Sequence, residues 1–160
     1  EAALVRCMPN TPALVGSGAS GLFANARVSA AQRDIADQLL GAVGLSVWVD
    51  SEADIDSVTA LSGSGPAYFF LMMEAMQESA VKLGLTPAMA KSLTYQTALG
   101  AAQLAIASEE DTAQLRRNVT SPNGTTERAI NHFEDGGLRQ LVDGALTAAR
   151  DRSVELAGEV

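Results

Sequence analysis

The sequence lacks most of the side chains from which metal centres and covalent active sites are built. Its 160 residues include one cysteine, Cys7, and one histidine, His132. One cysteine cannot form an internal disulfide, and a metal site needs several nitrogen, sulfur or carboxylate ligands close together. We therefore expect no metal ion. We expect Cys7 to be a small core residue and His132 to be a surface or packed residue.

Basic and aromatic residues are also scarce. Eleven Lys and Arg stand against 19 Asp and Glu, which gives a net charge of −8, and aromatic residues make up only 4% of the chain. Nucleic acids and anionic membranes bind clustered Lys and Arg, so neither is an expected partner. Few aromatics with 47% hydrophobic residues favour packed helices over a β-sandwich. No signal peptide or bilayer-spanning run is recognisable, so we expect a cytoplasmic location.

Residues 1–50 have the pattern of the end of an α/β unit. Short apolar runs predict strands at 3–8, 21–24 and 45–49. Ser29 is a typical N-cap for a helix that has one apolar stripe and ends near Gly44. The pattern after residue 50 is helical throughout. We therefore predict a mixed fold with a domain boundary there, dividing the chain into 1–50 and 51–160.

Five helices are predicted beyond residue 60, at 66–84, 87–108, 112–119, 125–134 and 138–157. From Ala88 to Ser108 the only charged residue is Lys91. A helix with almost no charged face is normally buried on all sides, and a small domain has little interior in which to bury it. We therefore predict an obligate dimer in which the helices of two copies interleave.

Two glycine-rich segments need interpretation. Residues 16–21 match the letters of the dinucleotide-binding pattern GxGxxG, but that pattern needs a helix directly after it. Here a strand is predicted next, so we interpret the match as coincidental. The second segment, Ser62-Gly63-Ser64-Gly65, precedes Pro66, which is typical of a first helical turn. It is compatible with a tight helix start under dimer packing and equally with one wall of a ligand site.

The most polar turn of the chain lies between the predicted helices 112–119 and 125–134. Pro122 and Asn123-Gly124 predict a turn, with Gly124 able to take positive φ. The N–H groups of Gly124, Thr125 and Thr126 fall in the first helical turn, where they have no intrahelical partner. Together with the helix dipole they form an anion site.

Hydroxyl groups add to this site, since Thr120, Ser121, Thr125 and Thr126 all lie within it. The alternative is a self-satisfied helix cap in which Glu127 folds back, as in a capping box. A cap needs one hydroxyl and this turn has four. The sequence therefore favours binding of a small carboxylate or phosphate.

Several segments of the chain resemble pyrroline-5-carboxylate reductases, the last enzymes of proline biosynthesis. The matching segments span nearly the whole chain: Arg6–Pro12, Asp56–Tyr68, Val81–Leu85, Gln96–Ala102 and Val119–Thr126. The combination of Ser-Gly-Ser-Gly-Pro-Ala-Tyr with a downstream Val-Thr-Ser-Pro-x-Gly-Thr-Thr is highly specific. The resemblance implies an N-terminal Rossmann domain for NADPH or NADH and an all-α dimerisation domain. Residues 1–50 would then be the C-terminal remnant of the Rossmann domain.

The resemblance also implies roles for individual residues. Thr126 would be the catalytic residue, with a hydrogen bond to the ring nitrogen of the cyclic imine. The substrate would be bound by Ser121, Asn123, Gly124, Thr125 and Thr126, with Glu52 nearby, and the cofactor by Met8, Pro9, Asn10 and Asn118. Hydride transfer to a C=N bond needs orientation and a donor at nitrogen more than a strong acid, so the missing His and Cys are no objection.

The chain departs from the family pattern in two respects. Asn123 stands where the family usually has glycine, and asparagine is the next-best residue for positive φ. Most of the Rossmann domain is not recognisable, so we expect a C-terminal portion that is inactive alone, from a homodimer or a higher oligomer of dimers. The alternative hypothesis is a non-catalytic helical dimerisation module with a structural helix cap at 121–126.

Overall fold

The computed structural model describes residues 2–159, and the first part of it is a small α/β unit. Three strands, β1 (Val5–Met8), β2 (Gly18–Ala24) and β3 (Gly44–Trp48), form one sheet in the order β1-β2-β3. β1 runs antiparallel to β2, and β2 runs parallel to β3 through the connecting helix α1 (Ala30–Gly41). All three predicted strands and the helix between them are confirmed.

Helix α1 begins as its sequence predicts. The Ser29 side chain accepts a hydrogen bond from the Gln32 N–H, and the Gln32 side chain accepts one from the Ser29 N–H, which completes a capping box. The helix is tied to β3 by Asp37, whose carboxylate accepts hydrogen bonds from Ser46 Oγ at 2.7 Å and Trp48 Nε1 at 2.9 Å. These side-chain bonds, with Leu22 of β2 fully buried, hold the sheet and helix together.

A 3-10 helix (Thr11–Val15) connects β1 to β2. The elements after β3 are all helical, as predicted. They are α2 (Asp54–Val58), a π-helical turn (Thr59–Gly63), α3 (Gly65–Lys82), α4 (Pro87–Ala107), α5 (Thr112–Asn118), α6 (Thr125–Asp135) and α7 (Leu138–Gly158). Thr86 caps α4 and Asp111 caps α5, each through a side-chain oxygen. Among the described residues, no helix is long and apolar enough to cross a membrane.

The second glycine-rich segment is itself helical, since the π turn Thr59–Gly63 leads into α3 at Gly65. Ser64 N–H bonds to the Thr59 carbonyl at 2.8 Å, an i to i−5 bond that marks the π turn. Ser62 Oγ donates to the Val58 carbonyl, and the Tyr68 hydroxyl donates to the Ala60 carbonyl. These internal bonds occupy the Ser62 and Tyr68 hydroxyls.

The described chain forms two compact units. One contains the residues up to Tyr68 and those from Val142 onward, and the other is Phe69–Leu141. Within the first unit, Ser153 Oγ of α7 donates to the Asp56 carboxylate of α2 at 2.6 Å. The predicted boundary at residue 50 differs from this division, because α2, the π turn and most of α7 group with the sheet.

Several predicted core residues are exposed in the single chain. Cys7 is exposed, so its prediction as a core residue is wrong; it lies on β1, which pairs with only one strand of the described sheet. In α4 only Ala90 and Thr94 are buried, while Leu99 is 51% exposed. One copy of the chain therefore does not bury α4 on all sides.

Candidate functional site

The polar turn between α5 and α6 has a conformation that differs from the predicted one in one respect. Asn123 takes the positive φ, 59°, and Gly124 has a φ of −83°. The positive φ thus falls on Asn123, as expected from its place at the family's usual glycine position, and not on Gly124. Gly124 is needed for space, since a Cβ there would lie 2.9 Å from the Ser121 carbonyl oxygen.

The first turn of α6 leaves several donors free. The Gly124 N–H bonds to the Ser121 carbonyl at 3.0 Å, and Arg128 is the first residue whose N–H bonds back to Gly124. Within residues 2–159 the N–H groups of Thr125, Thr126 and Glu127 have no hydrogen-bond acceptor. No side chain caps the helix at Gly124.

The hydroxyl groups around this turn divide into two classes. Thr120 Oγ1 donates to the Arg116 carbonyl at 2.6 Å, so it is not one of the available donors. The hydroxyls of Ser121, Thr125 and Thr126 have no hydrogen-bond partner in the described part of the chain. Ser121 and Thr125 are exposed and Thr126 is half-buried. The turn therefore presents three hydroxyls and three N–H groups, which together can bind a carboxylate.

Glu127 does fold back, in partial agreement with the capping interpretation. Its Oε2 accepts a hydrogen bond from the Asn123 N–H at 2.8 Å. A capping box would instead direct this carboxylate to the N–H of the N-cap, Gly124, and would add a capping hydroxyl. The bond thus fixes the turn without using the donors of Thr125 and Thr126.

Asn118, predicted to contact a cofactor, is hydrogen-bonded at both ends of its amide. Its Nδ2 donates to Glu110 Oε2, and its Oδ1 accepts from Gln114 Nε2, both at 2.7 Å. The side chain is exposed at the end of α5. One N–H of Nδ2 and one lone pair of Oδ1 are left for a ligand beside these two bonds.

The other predicted site residues belong to the first unit, where Asn10 has a clear structural role. Its Oδ1 accepts from the Ala19 N–H at 2.9 Å, and its Nδ2 donates to the Ser62 carbonyl at 3.0 Å. Asn10 thus joins the end of β1 to β2 and to the π turn. The Met8 side chain lies against Gly63, where a Cβ would be 2.5 Å from Met8 Cε.

Glu52 and Pro9 are on the surface of the same unit. Glu52 Oε1 pairs with Arg6 Nη1 at 3.1 Å, and both side chains are partly exposed. Pro9 is exposed between Met8 and Asn10. The side chain of Asn10 is held in place by one bond at each end of its amide, and Pro9 beside it is exposed.

A charged cluster that the sequence did not predict joins α5 to α6. The Glu134 carboxylate accepts two hydrogen bonds from Arg139, both at 2.8 Å, and one from Arg116 at 2.9 Å. The bond from Arg139 is the largest factor that lowers the pKa of Glu134 below its ordinary value.

An open groove of about 310 Å³ lies beside this charged cluster. It is lined by Arg116, Arg117, Thr120, Glu127, Ile130, Asn131 and Glu134. In the sequence, the charged cluster is indicated only by residues of opposite charge on successive helices.

The first glycine-rich segment does not have the geometry of a dinucleotide-binding turn. Gly18 and Gly21 lie inside β2, and α1 begins only at Ala30. Gly21 allows α2 to pack closely, since a Cβ there would lie 2.5 Å from Val58 Cγ1. Residues 16–21 therefore do not form a dinucleotide-binding turn, in agreement with the interpretation of the match as coincidental. In residues 2–159, no group of three or more His, Cys, Asp or Glu could hold a metal ion, and His132 is exposed on α6.

Comparison with known proteins identifies relatives of one kind. Residues 52–156 match the family described as pyrroline-5-carboxylate reductase dimerisation. The chain is 62% identical over 157 residues to a pyrroline-5-carboxylate reductase of Pseudomonas aeruginosa, covering 98% of this chain and 58% of that protein. It is 46% identical to the Haemophilus influenzae enzyme, covering 96% and 57%.

Solved structures give the same result. A pyrroline-5-carboxylate reductase from Coxiella burnetii superposes with a TM-score of 0.95 at 55% identity, covering 97% of this chain and 57% of that one. A Plasmodium falciparum pyrroline carboxylate reductase with NADP bound superposes with a TM-score of 0.88 at 33% identity, covering 96% and 61%. The chain spans more than half, but less than two thirds, of the length of the relatives it matches. On the match of residues 52–156, the chain belongs to the pyrroline-5-carboxylate reductase dimerisation family.

Proposed function

We propose that this chain is the substrate-binding and dimerisation part of a pyrroline-5-carboxylate reductase. The protein would reduce the C=N bond of 1-pyrroline-5-carboxylate to give L-proline, with NADPH or NADH as the reductant. The observation that carries this proposal is the turn before α6, whose N–H groups at Thr125 and Thr126 have no acceptor in the described chain. A ligand carboxylate supplies the missing acceptors.

The turn would orient the cyclic imine for reduction. The free N–H groups of Thr125 and Thr126, with the hydroxyls of Ser121 and Thr125, would hold the carboxylate. Asn123 and Gly124 would shape the turn around it, because their own N–H groups are bonded to Glu127 and Ser121. Glu52 would lie near the substrate. Thr126, half-buried at the start of α6, would donate its hydroxyl proton in a hydrogen bond to the ring nitrogen. This bond would fix the ring and stabilise the nitrogen as its charge changes. When bound, a nicotinamide would supply the hydride to the imine carbon, and water would supply the proton that the ring nitrogen gains.

The cofactor contacts are part of the same proposal. Met8, Pro9, Asn10 and Asn118 would lie against the nicotinamide end. Since the Asn10 amide is occupied by Ala19 and Ser62, Asn10 would act by fixing the end of β1 more than through its side chain. The choice between NADPH and NADH would be made outside these residues, because none of them forms a phosphate-binding turn.

We also propose that the chain is a homodimer with interleaved helices and that residues 51–160 form its dimerisation domain. The family match over residues 52–156 supports both statements. The exposure of Leu93, Leu99 and Leu104 on α4 supports them as well, because more than half of each residue is uncovered in one copy. Assembly into higher oligomers and a cytoplasmic location remain predictions of the same proposal.

The experiment that tests the proposal compares Thr126→Ala with Thr126→Ser in the full-length protein. Loss of the hydroxyl should lower kcat/KM for 1-pyrroline-5-carboxylate by about 10- to 100-fold, as expected for one lost donor in an active site. Thr126→Ser keeps the hydroxyl and should recover most of the activity. The measurement is the initial rate of NADPH or NADH oxidation.

Thr147→Ala is the matched control, since Thr147 is an exposed threonine on α7. Its kcat/KM should stay close to that of the wild type. If Thr126→Ala has the kinetics of this control, the role assigned to Thr126 is wrong. If the wild-type protein does not oxidise either cofactor with this substrate, the reductase assignment itself fails.

A further inference from the structure

The shape of the turn before α6 depends on a bond from a residue that does not belong to the proposed ligand set. Glu127 Oε2 accepts the Asn123 N–H at 2.8 Å. Asn123, with φ of 59°, is the only non-glycine residue at positive φ between residues 2 and 159. We propose that Glu127 is a positioning residue that holds Asn123 in the left-handed conformation and thereby sets the substrate turn. This inference rests on the proposed function of the turn.

The left-handed conformation is unfavourable for a residue with a Cβ, even though asparagine tolerates it better than most. It persists only where neighbouring groups over-determine it. Here the Glu127 carboxylate gives the Asn123 N–H a charged acceptor, and charge-assisted hydrogen bonds are about twice as strong as neutral ones. The third position of α6 also favours a negative charge, because it lies near the positive end of the helix dipole.

The rest of the turn depends on the conformation of Asn123. The Gly124 N–H closes onto the Ser121 carbonyl at 3.0 Å, and a Cβ at Gly124 would lie 2.9 Å from that oxygen. This close turn places the N–H groups of Thr125 and Thr126 at the start of α6 with no acceptor. If Asn123 leaves the left-handed region, the turn opens and the free donors lose their fixed arrangement. The Glu127 side chain thus acts on the substrate through Asn123 and does not touch it.

A kinetic comparison in the full-length protein tests this role. Glu127→Ala removes the acceptor and should raise KM for 1-pyrroline-5-carboxylate by about 3- to 10-fold, with kcat changed by less than about twofold. We expect KM to rise without a comparable fall in kcat, because the turn binds the carboxylate equally in the ground state and in the transition state. Glu127→Gln keeps an oxygen that can accept from Asn123, so it should recover most of the lost affinity.

A second substitution asks whether Glu127 acts through the backbone of Asn123. Glycine takes positive φ at no steric cost, so Asn123→Gly should hold this conformation without the hydrogen bond from residue 123 N–H to Glu127 Oε2, called here the latch. Adding Glu127→Ala to Asn123→Gly should therefore raise KM by less than about twofold, far less than Glu127→Ala does alone. Additive effects of the two substitutions would overturn the proposed mechanism.

Hydrogen exchange of the Asn123 backbone amide reports on its hydrogen bond to Glu127 and needs no catalytic turnover. Exchange should be about 10-fold faster in Glu127→Ala than in the wild type, and close to the wild-type rate in Glu127→Gln. Unchanged exchange in Glu127→Ala overturns the latch, and faster exchange with unchanged KM overturns its positioning role. If the wild type does not reduce 1-pyrroline-5-carboxylate, the proposed function fails, but the exchange rates still decide whether the latch exists.

Discussion

At the scale of the residue, three carboxylates of this chain accept hydrogen bonds from different kinds of donor. Glu127 accepts from a backbone N–H, Glu134 accepts from two arginines, and Asp37 accepts from a serine and the only tryptophan. Each carboxylate joins two segments that are adjacent in the fold. Charge on these oxygens is therefore part of what fixes α1 on its strand and α6 on its preceding turn.

Asp37 gives a pH-dependent prediction. The hydrogen bond from Trp48 Nε1 is the largest cause that lowers the pKa of Asp37 below its ordinary 3.8, and the bond from Ser46 adds to it. A lowered folded-state pKa means that the carboxylate stabilises the fold fully above the unfolded-state pKa. This contribution should decline as the pH falls below about 3.8 and disappear below the folded-state value.

The measurement is urea unfolding of the full-length protein as a function of pH, with Trp48 fluorescence as the probe. Asp37→Asn should be less stable than the wild type at pH 6, and the difference should shrink as the pH falls through the acid range. Asp34→Asn is the control, because Asp34 is exposed on the same helix and has no hydrogen-bond partner in the described chain. An Asp37→Asn effect that is the same at all pH values would contradict the role of the charge.

At the scale of the element, α4 is the feature that one copy of the chain leaves incomplete. Ile106 is 86% exposed and Leu99 51% exposed, on a helix with a single charged residue, Lys91. Several large apolar side chains exposed on one helix are typical of a protein–protein interface. The proposed partner is a second copy of the same helix bundle.

The expected result is a dimeric mass by light scattering for the full-length protein at low micromolar concentration. Leu99→Arg should lower that mass towards the monomer, because a charged side chain would be buried without a partner. Glu109→Arg, an exposed position just after α4, should leave the mass unchanged. A monomeric wild type, or a dimer that Leu99→Arg does not disturb, would contradict the assignment of α4 to the interface.

How far the elements could be predicted depended on whether the determining signal was local. Ser29, Thr86 and Asp111 mark helix starts through side-chain caps, and each helix begins directly after its cap. The π turn at Thr59–Gly63 was missed, because its i to i−5 bonds leave no periodic pattern in apolar residues. The positive φ of Asn123 was expected, but the need for glycine at position 124 was not, since it depends on the Ser121 carbonyl lying close to Gly124.

At the scale of the whole molecule, only those parts of the site that consist of residues close together in sequence could be predicted. The free donors of Thr125 and Thr126 follow from their place at a helix start, and the sequence was sufficient to find them. The engagement of Asn10 with Ala19 and Ser62 was not predictable, because its partners lie 9 and 52 residues away. The chain spans 58% of the length of the Pseudomonas aeruginosa relative.

The central claim is that the turn before α6 binds the carboxylate of the substrate or product. The most direct measurement is an amide NMR titration of the full-length protein with L-proline. We expect saturable shifts of the Thr125 and Thr126 amide resonances, with no shift at Thr112, the first residue of α5. No shift at Thr125 and Thr126, or equal shifts at Thr112, would contradict the account.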